Sequence, residues 1–508
     1  MKKFSLVVLT FFLISCDQQS KNKRPNIIYI LADDLGYGEL GVYGQKIIET
    51  PNIDALAKSG MIFTDHYSGS PVCAPSRSVF LTGQHTGHTP IRGNDEWTER
   101  GDTWNYQAMF DDSSLEGQRP IPDSTLTIAE VLKSSGYSTG MVGKWGLGAP
   151  MTEGVPNKQG FDFFYGYNCQ RQAHTLYPMH LWRNEKRDIL NNKNIAPHTD
   201  LEVAADPTDP NSYSNFELNE YAPELMHKEA LQFIENNKEA PFFLYYASPL
   251  PHVPLQAPNK WVNYYNNKLG EEKPYTGKSN FSYFPNFTPR ATYAAMISYL
   301  DEQVGDLVKK LKEIGQYNNT LIIFTSDNGP TYNGGTDTPF FNSAKPFKTE
   351  YGWAKGFVNE GGIRVPMIAS WPGKIKNGSR SMLISAFQDM MPTFCDIAKI
   401  SQPKNIDGIS LLPTLLGAVQ NQTHKYLYWE FPSYKGQQAV RMGKWKAIRR
   451  NIFDGNTDIE LYNLEEDIQE QKNVADLYPE IISKIEIIMK DAHDPPIYNK
   501  FKFPQLGD

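Results

Sequence analysis

The chain predicts an α/β fold: a mostly parallel sheet flanked by helices, followed by a small antiparallel sheet-and-helix subdomain. Three observations carry this. From Pro25 onward, strand-like apolar runs alternate with helical patterns, as in a parallel sheet covered on both faces. At 508 residues the chain exceeds what one hydrophobic core usually fills, so a large domain with a smaller companion is expected. Residues of catalytic type also follow the strand-like runs, at the edge where open α/β sheets bind ligands.

Taken in order, residues 26–32 form a continuous apolar strand ending in Asp33 and Asp34. Residues 54–58 read as a short helix stopped by Gly60. Next comes Cys73-Ala74-Pro75-Ser76-Arg77-Ser78-Val79-Phe80-Leu81-Thr82-Gly83. Pro75 pre-sets a first helical turn, and the apolar run closes at Gly83. Thr127 and Glu130 make a capping box that opens a helix ending at Gly136. Residues 140–143 form a short strand followed by Lys144, and residues 241–247 a strand followed by His252. Met296, Ile297, Leu300, Val304, Leu307, Leu311 and Ile314 share one face of a long helix. Residues 321–325 form a strand followed by Asp327 and Asn328. Beyond about Asp407 come strand-like residues 426–431 and 439–448, then 461–464, and a final helix from Pro479. The expected division is residues 25–405 and 406–508.

Composition narrows the function. Apolar residues make up 40% of the chain, an ordinary globular share. A net charge of −7 gives no polycationic footprint, which argues against a nucleic-acid partner. Cys16, Cys73, Cys169 and Cys395 are too few for a disulfide scaffold. Lys2 and Lys3 precede an apolar run at residues 4–14, too short to span a bilayer. It ends in Leu13-Ile14-Ser15-Cys16, which resembles a bacterial lipobox. That implies a signal peptide at residues 1–15, a lipidated Cys16 and a polar tether at residues 16–24. The protein would then be anchored to a membrane of the bacterial cell envelope by its lipid.

The polar residues form two groups. Asp33, Asp34, Asp327 and Asn328 offer only oxygen ligands, the preference of calcium or magnesium. Each pair alone also fits a helix cap or a turn. Cys73 and Arg77 sit at a predicted helix N-terminus, where free N–H groups and the dipole favour an anion. Arg77 adds a permanent forked cation.

The string from Cys73 to Gly83 resembles the signature of type I sulfatases. The resemblance implies an alkaline-phosphatase-like fold and covers the chain from Pro25. It also implies that a formylglycine-generating maturation enzyme oxidises Cys73 to formylglycine, whose hydrate attacks the sulfur of a sulfate ester. Asp33, Asp34, Cys73, Asp327 and Asn328 would then surround one divalent cation, usually calcium in the family, with magnesium the alternative. Gly143-Lys144-Trp145-Gly146-Leu147-Gly148, the Pro251-His252 loop and the segment from Lys355 to Pro366 resemble further family motifs. They assign Arg77, Lys144 and Lys355 to sulfate oxygens, His252 to protonating the leaving hydroxyl, and Asp327 to a base. Arg364 reads as structural. Gly146 is a departure, because many members carry histidine there. With Cys16 and Cys73 both modified, only Cys169 and Cys395 remain to pair.

Residues 160–182 are polar and aromatic and resemble the matching segment of bacterial carbohydrate sulfatases. Arg171 and His174, with Arg92 and Asn94, are candidates for binding sugar hydroxyls or a neighbouring carboxylate. The implied substrate is a sulfated carbohydrate of algal or host origin. Two alternatives stay open. One is a phosphonate or phosphate monoester hydrolase of the same superfamily. The other is a non-catalytic, glycan-binding surface lipoprotein in which Cys73 stays a thiol.

Overall fold

The computed structural model describes residues 24–278 and 283–508. The segments expected to be a signal peptide and a polar tether, with Cys16, lie outside the described residues except for Arg24. Among the described residues no helix is long and apolar enough to cross a membrane.

Ten strands form the main sheet: β1 (Asn26–Ala32), β2 (Met61–Phe63), β3 (Ser138–Lys144), β4 (Phe163–Tyr167), β5 (His180–Arg183), β6 (Lys186–Ile189), β7 (Phe242–Ala247), β8 (Thr320–Ser326), β9 (Met367–Ser370) and β10 (Ser379–Ser381). Their order is β10-β2-β9-β8-β1-β7-β3-β4-β5-β6. The five central strands, β8 to β4, run parallel. Antiparallel pairings join β9 to β8 and β4 to β5. β1, β7 and β8 are buried along their whole length, which explains why they read as unbroken apolar runs rather than alternating ones.

Alternate residues of these strands feed two cores. Ile28, Ile30, Leu244, Tyr246, Ile322 and Phe324 face a layer that includes Met296, Leu300, Val304 and Leu307. Those last four lie on one stripe of the long helix Pro289–Glu313. Ile27, Tyr29, Leu31, Phe243, Tyr245 and Ile323 face the other layer, with Val79, Phe80, Leu132 and Phe394. Tyr29 and Phe80 stack at 4.1 Å between ring centroids. This contact ties helix α1 (Cys73–Thr82) to the centre of the sheet and fixes where its N-terminus emerges.

A second sheet of four antiparallel strands, Leu427–Phe431, Gln437–Met442, Trp445–Arg450 and Glu460–Asn463, packs with a helix at Pro479–Asp491. The single strand expected at residues 439–448 is in fact two, because Gly443 takes a left-handed φ of 56° and turns the chain. Cys169 and Cys395 are both free and buried; no disulfide joins them.

Candidate active site

The carboxyl ends of β1, β3 and β8 converge on one rim of the sheet. β1 delivers Asp33 and Asp34, β3 ends in Lys144, and β8 is followed by Asp327 and Asn328. Asp33 N–H donates to Leu250 O and Asp327 N–H donates to Ala32 O, which ties the loop after β1 to those after β7 and β8. Asp34 adopts φ 67°. For a non-glycine residue this costs of order 1–3 kcal/mol; here it turns the carboxylate toward the cations of the rim.

Cys73 opens α1, with Val72 as its N-cap and Pro75 in the first turn. Its Sγ lies 3.4 Å from Asp33 Oδ1 and accepts from Lys144 Nζ at 3.4 Å. Arg77 is fully buried. It spans Asp33 and Asp327 at 3.0 and 2.8 Å and donates to Lys144 O. Lys144 Nζ is 2.6 Å from Asp33, and Lys355 Nζ is 2.7 Å from Asp34. His252 Nδ1 donates to Val253 O, so its Nε2 is the nitrogen that faces the site, 3.7 Å from Asp34.

The electrostatics follow from burial and pairing. Burial alone would raise Asp33, but Lys144, His252 and Arg77 hold it well below the usual carboxylate range. Asp327 goes the other way, raised to about 6 by burial and by Asp33. Burial, with Asp33 nearby, pushes the Cys73 thiol up to about 12; the unmodified thiol is therefore a poor nucleophile at neutral pH. Burial and the lysines 355 and 144 lower His252 to about 4.

A divalent cation fits here. Ligand atoms of Asp33, Asp34, Cys73 and His252 lie within 4.8 Å of one another. Asn328 Oδ1 is buried with no hydrogen-bond partner, a costly condition that a cation would relieve. Asp327 is turned differently: its oxygens accept from Arg77 and from Asp34 N–H.

Cys73, Lys144, His252 and Lys355 floor a cleft of about 580 Å³, a size suited to a small ligand. Its outer wall includes Asn94, Glu96, Trp104, Arg171, His174 and Tyr283. Asn94 Oδ1 accepts from Ala74 N–H behind the nucleophile. Arg92 does not reach the cleft, contrary to expectation. Its guanidinium is buried against Glu430 at 2.7 Å and donates to Asp494 O, tying the loop to the C-terminal sheet. Arg92→Ala should destabilise the protein by about 3–5 kcal/mol, since it strands a buried partner, and leave KM unaltered. Thermal unfolding and kinetics check this; a raised KM at normal stability would return Arg92 to the substrate.

Glu96, Trp104, His198 and Tyr283 were not singled out from the sequence. They come from loops that lack motif or periodicity. Gly146 has φ 84°, and a Cβ there would meet Gln170 Oε1 at 3.3 Å. The Gln170 amide thus lies beside the position where a larger residue 146 would project.

The family description "Sulfatase" matches residues 25–400, and "N-sulphoglucosamine sulphohydrolase, C-terminal" matches residues 349–493. The chain belongs to the sulfatase family. N-acetylgalactosamine-6-sulfatase of Canis lupus familiaris is 32% identical to this sulfatase over 440 residues, covering 83% of this chain and 71% of the relative. Arylsulfatase A of Homo sapiens is 32% identical over 441 residues, covering 84% and 75%. Among solved structures, Ps i-CgsB superposes with a TM-score of 0.71 at 28% identity, covering 95% of this chain and 94% of the other. It has also been solved in complex with k-i-k-neocarrahexaose. The chain is thus a type I sulfatase, a sulfuric ester hydrolase on a mostly parallel sheet with a small antiparallel sheet at its C-terminal end.

Proposed function

We propose that this sulfatase hydrolyses sulfate esters of a carbohydrate, using a formylglycine made from Cys73 and one divalent cation. The observation that carries the reading is Cys73 itself, at the start of α1 and in contact with both Asp33 and Lys144. Support for the carbohydrate comes from the N-acetylgalactosamine-6-sulfatase relatives and from the oligosaccharide bound to Ps i-CgsB. An algal or host polysaccharide is the source we favour.

Formylglycine supplies a hydrated aldehyde as nucleophile, and the cation supplies Lewis-acid stabilisation of a sulfate oxygen. Asp33, Asp34 and Asn328 would hold the cation, and Asp327 would join them on turning from Arg77; calcium suits such oxygen donors, with magnesium the alternative. Arg77, Lys144 and Lys355 place fixed positive charge around the sulfuryl oxygens. His252 Nε2 faces the cleft and is the group placed to protonate the departing sugar oxygen. Asp327, beside Arg77 on the same rim, would be the base for the nucleophilic hydroxyl.

The test is sulfate release across a panel of sulfated oligosaccharides, run beside phosphate and phosphonate monoesters. Sulfate release at the highest kcat/KM is expected. A phosphonate or phosphate ester turned over best would overturn the reading.

Removing the cation should cost both activity and stability. A ligand present at 100 times its Kd adds about 2.7 kcal/mol to the folded state. Chelation should therefore lower the thermal midpoint and abolish turnover, and calcium or magnesium should restore both. Unchanged midpoint and activity after exhaustive chelation would refute the site.

Cys16 we take as lipidated and the protein as held in the bacterial cell envelope. The Leu13-Ile14-Ser15-Cys16 string supports this. Lipid-precursor labelling of the membrane fraction should depend on Cys16, and a freely soluble mature protein starting elsewhere would contradict it.

A further inference from the structure

We propose that Glu96, Arg171 and His174 form a subsite that reads uncharged hydroxyls on the sulfated sugar and rejects a uronic-acid carboxylate. This rests on the carbohydrate sulfatase reading above and narrows its substrate class to neutral sugar sulfates.

The subsite lies where the sugar must lie. The His174 ring is 5.5 Å from the His252 ring, and His252 faces the leaving oxygen. A group one ring beyond His252 meets the hydroxyls on neighbouring ring carbons. Tyr283, 5.1 Å from His174, and Trp104, 5.3 Å away, supply apolar faces around the same space.

Charge decides what the outer wall accepts. Lys144 and Lys355 line the cleft but sit on its floor, paired with Asp33 and Asp34; beside Glu96 and His174 the wall's cation is Arg171. Glu96 already pairs with that charge, although Arg171 Nε is buried without a hydrogen-bond partner. Arg171 Nη2 is 2.8 Å from Glu96 Oε2, with both side chains 15% exposed. The guanidinium also lies over the Trp104 ring at 3.4 Å from its centroid. Gln170 Nε2 donates to the other Glu96 oxygen at 3.4 Å. A carboxylate on the substrate would have to displace Glu96 from Arg171 or sit beside it, and like charges in a partly desolvated wall disfavour each other. A hydroxyl instead donates to Glu96 and accepts from Arg171 without breaking the pair.

His174 fits the same reading. It is half-buried, and its Nδ1 is shielded from water with no hydrogen-bond partner. Burial, reinforced by His252, Arg171 and Lys144, pushes its pKa well below the usual histidine value. With Nδ1 shielded, the neutral imidazole presents its other nitrogen as a single donor or acceptor, which suits a hydroxyl and gives a carboxylate no charge to pair with.

The experiment compares three substrates on the mature, cation-loaded full chain: a neutral hexose or N-acetylhexosamine sulfate, a uronic acid sulfate, and nitrophenyl sulfate. The wild type should favour the neutral sugar over the uronate. His174→Ala and Glu96→Gln should each lower the ratio of sugar to nitrophenyl kcat/KM by about 10–100-fold, the worth of one buried or charged hydrogen bond, with the change mainly in KM. Glu96→Gln frees Arg171 and should also raise uronate activity relative to the neutral sugar. Preference of the wild type for the uronate would overturn the proposal. So would equal losses on the sugar and nitrophenyl esters, which would mark a structural role. A wild type active on nitrophenyl sulfate but on neither sugar would refute the subsite while leaving sulfatase chemistry standing. Inactivity on every sulfate ester would sink both.

Discussion

Cys73→Ala should abolish turnover, by on the order of 10⁴-fold or more, and leave the fold nearly untouched. The asymmetry follows from what the side chain holds. Its Sγ makes two long contacts, to Asp33 and Lys144 at 3.4 Å each. Those partners keep better ones without it: Lys144 stays 2.6 Å from Asp33, and Arg77 still bridges Asp33 and Asp327. α1 is held to the sheet by Phe80, in its last turn, against Tyr29, not by residue 73. The substitution removes one buried atom and no core contact of consequence, so the thermal midpoint should barely move. Catalysis, by contrast, loses its nucleophile, and groups that act as a unit fail together. Cys73→Ser separates the two senses of the residue. It puts a hydroxyl in place of the thiol that the maturation enzyme would oxidise, and should stay inactive. The mass of the peptide containing residue 73 is the decisive measurement. Fully active protein carrying only unmodified cysteine would end the formylglycine reading.

How much of this was legible beforehand depended on where each residue sits. Asp33, Asp34, Lys144, Asp327 and Asn328 follow strands whose apolar runs are continuous, so placing the strands also placed the residues on one rim. Cys73 and Arg77 were legible for a local reason: the Pro75 turn and the closing Gly83 define a helix whose first turn must point at the same rim. Arg92 and Asn94 show the limit. They are two residues apart, yet Asn94 accepts from Ala74 N–H at the cleft while Arg92 turns to Glu430, more than 300 positions on in the chain. Nothing local distinguishes those directions, because the partner that captures Arg92 arrives with the C-terminal sheet. Glu96, Trp104 and Tyr283 were missed for a related reason. Each stands in an irregular loop, and only the closing of several loops over the cleft makes them neighbours. The Gly443 turn was overlooked because Met442 and Trp445 continue the apolar pattern across it.

His252→Ala should cut hydrolysis of a sugar sulfate by roughly 10²–10⁴-fold, the usual reach of general acid catalysis, and cost far less on nitrophenyl sulfate. The difference lies in the leaving group. An alkyl alkoxide departs badly unless it is protonated in the transition state, whereas a nitrophenolate needs little help. The structure puts His252 in position for that task, because Nδ1–H is committed to Val253 O and Nε2 is left to face the cleft. Its lowered pKa, caused by burial and then by Lys355 and Lys144, belongs to the protein without substrate. A bound sulfate ester brings negative charge among those same lysines, which offsets their repulsion of an imidazolium and moves His252 back toward the range where it can carry a proton. Gly146 sharpens the expectation, since no second imidazole projects from that position and Gln170, beside it, has no proton to give at neutral pH. Equal losses on both esters would instead make His252 a binding residue. The assisting group would then be Lys355, whose Nζ approaches the same Asp34 Oδ2 that His252 Nε2 faces, at 2.7 Å against 3.7 Å.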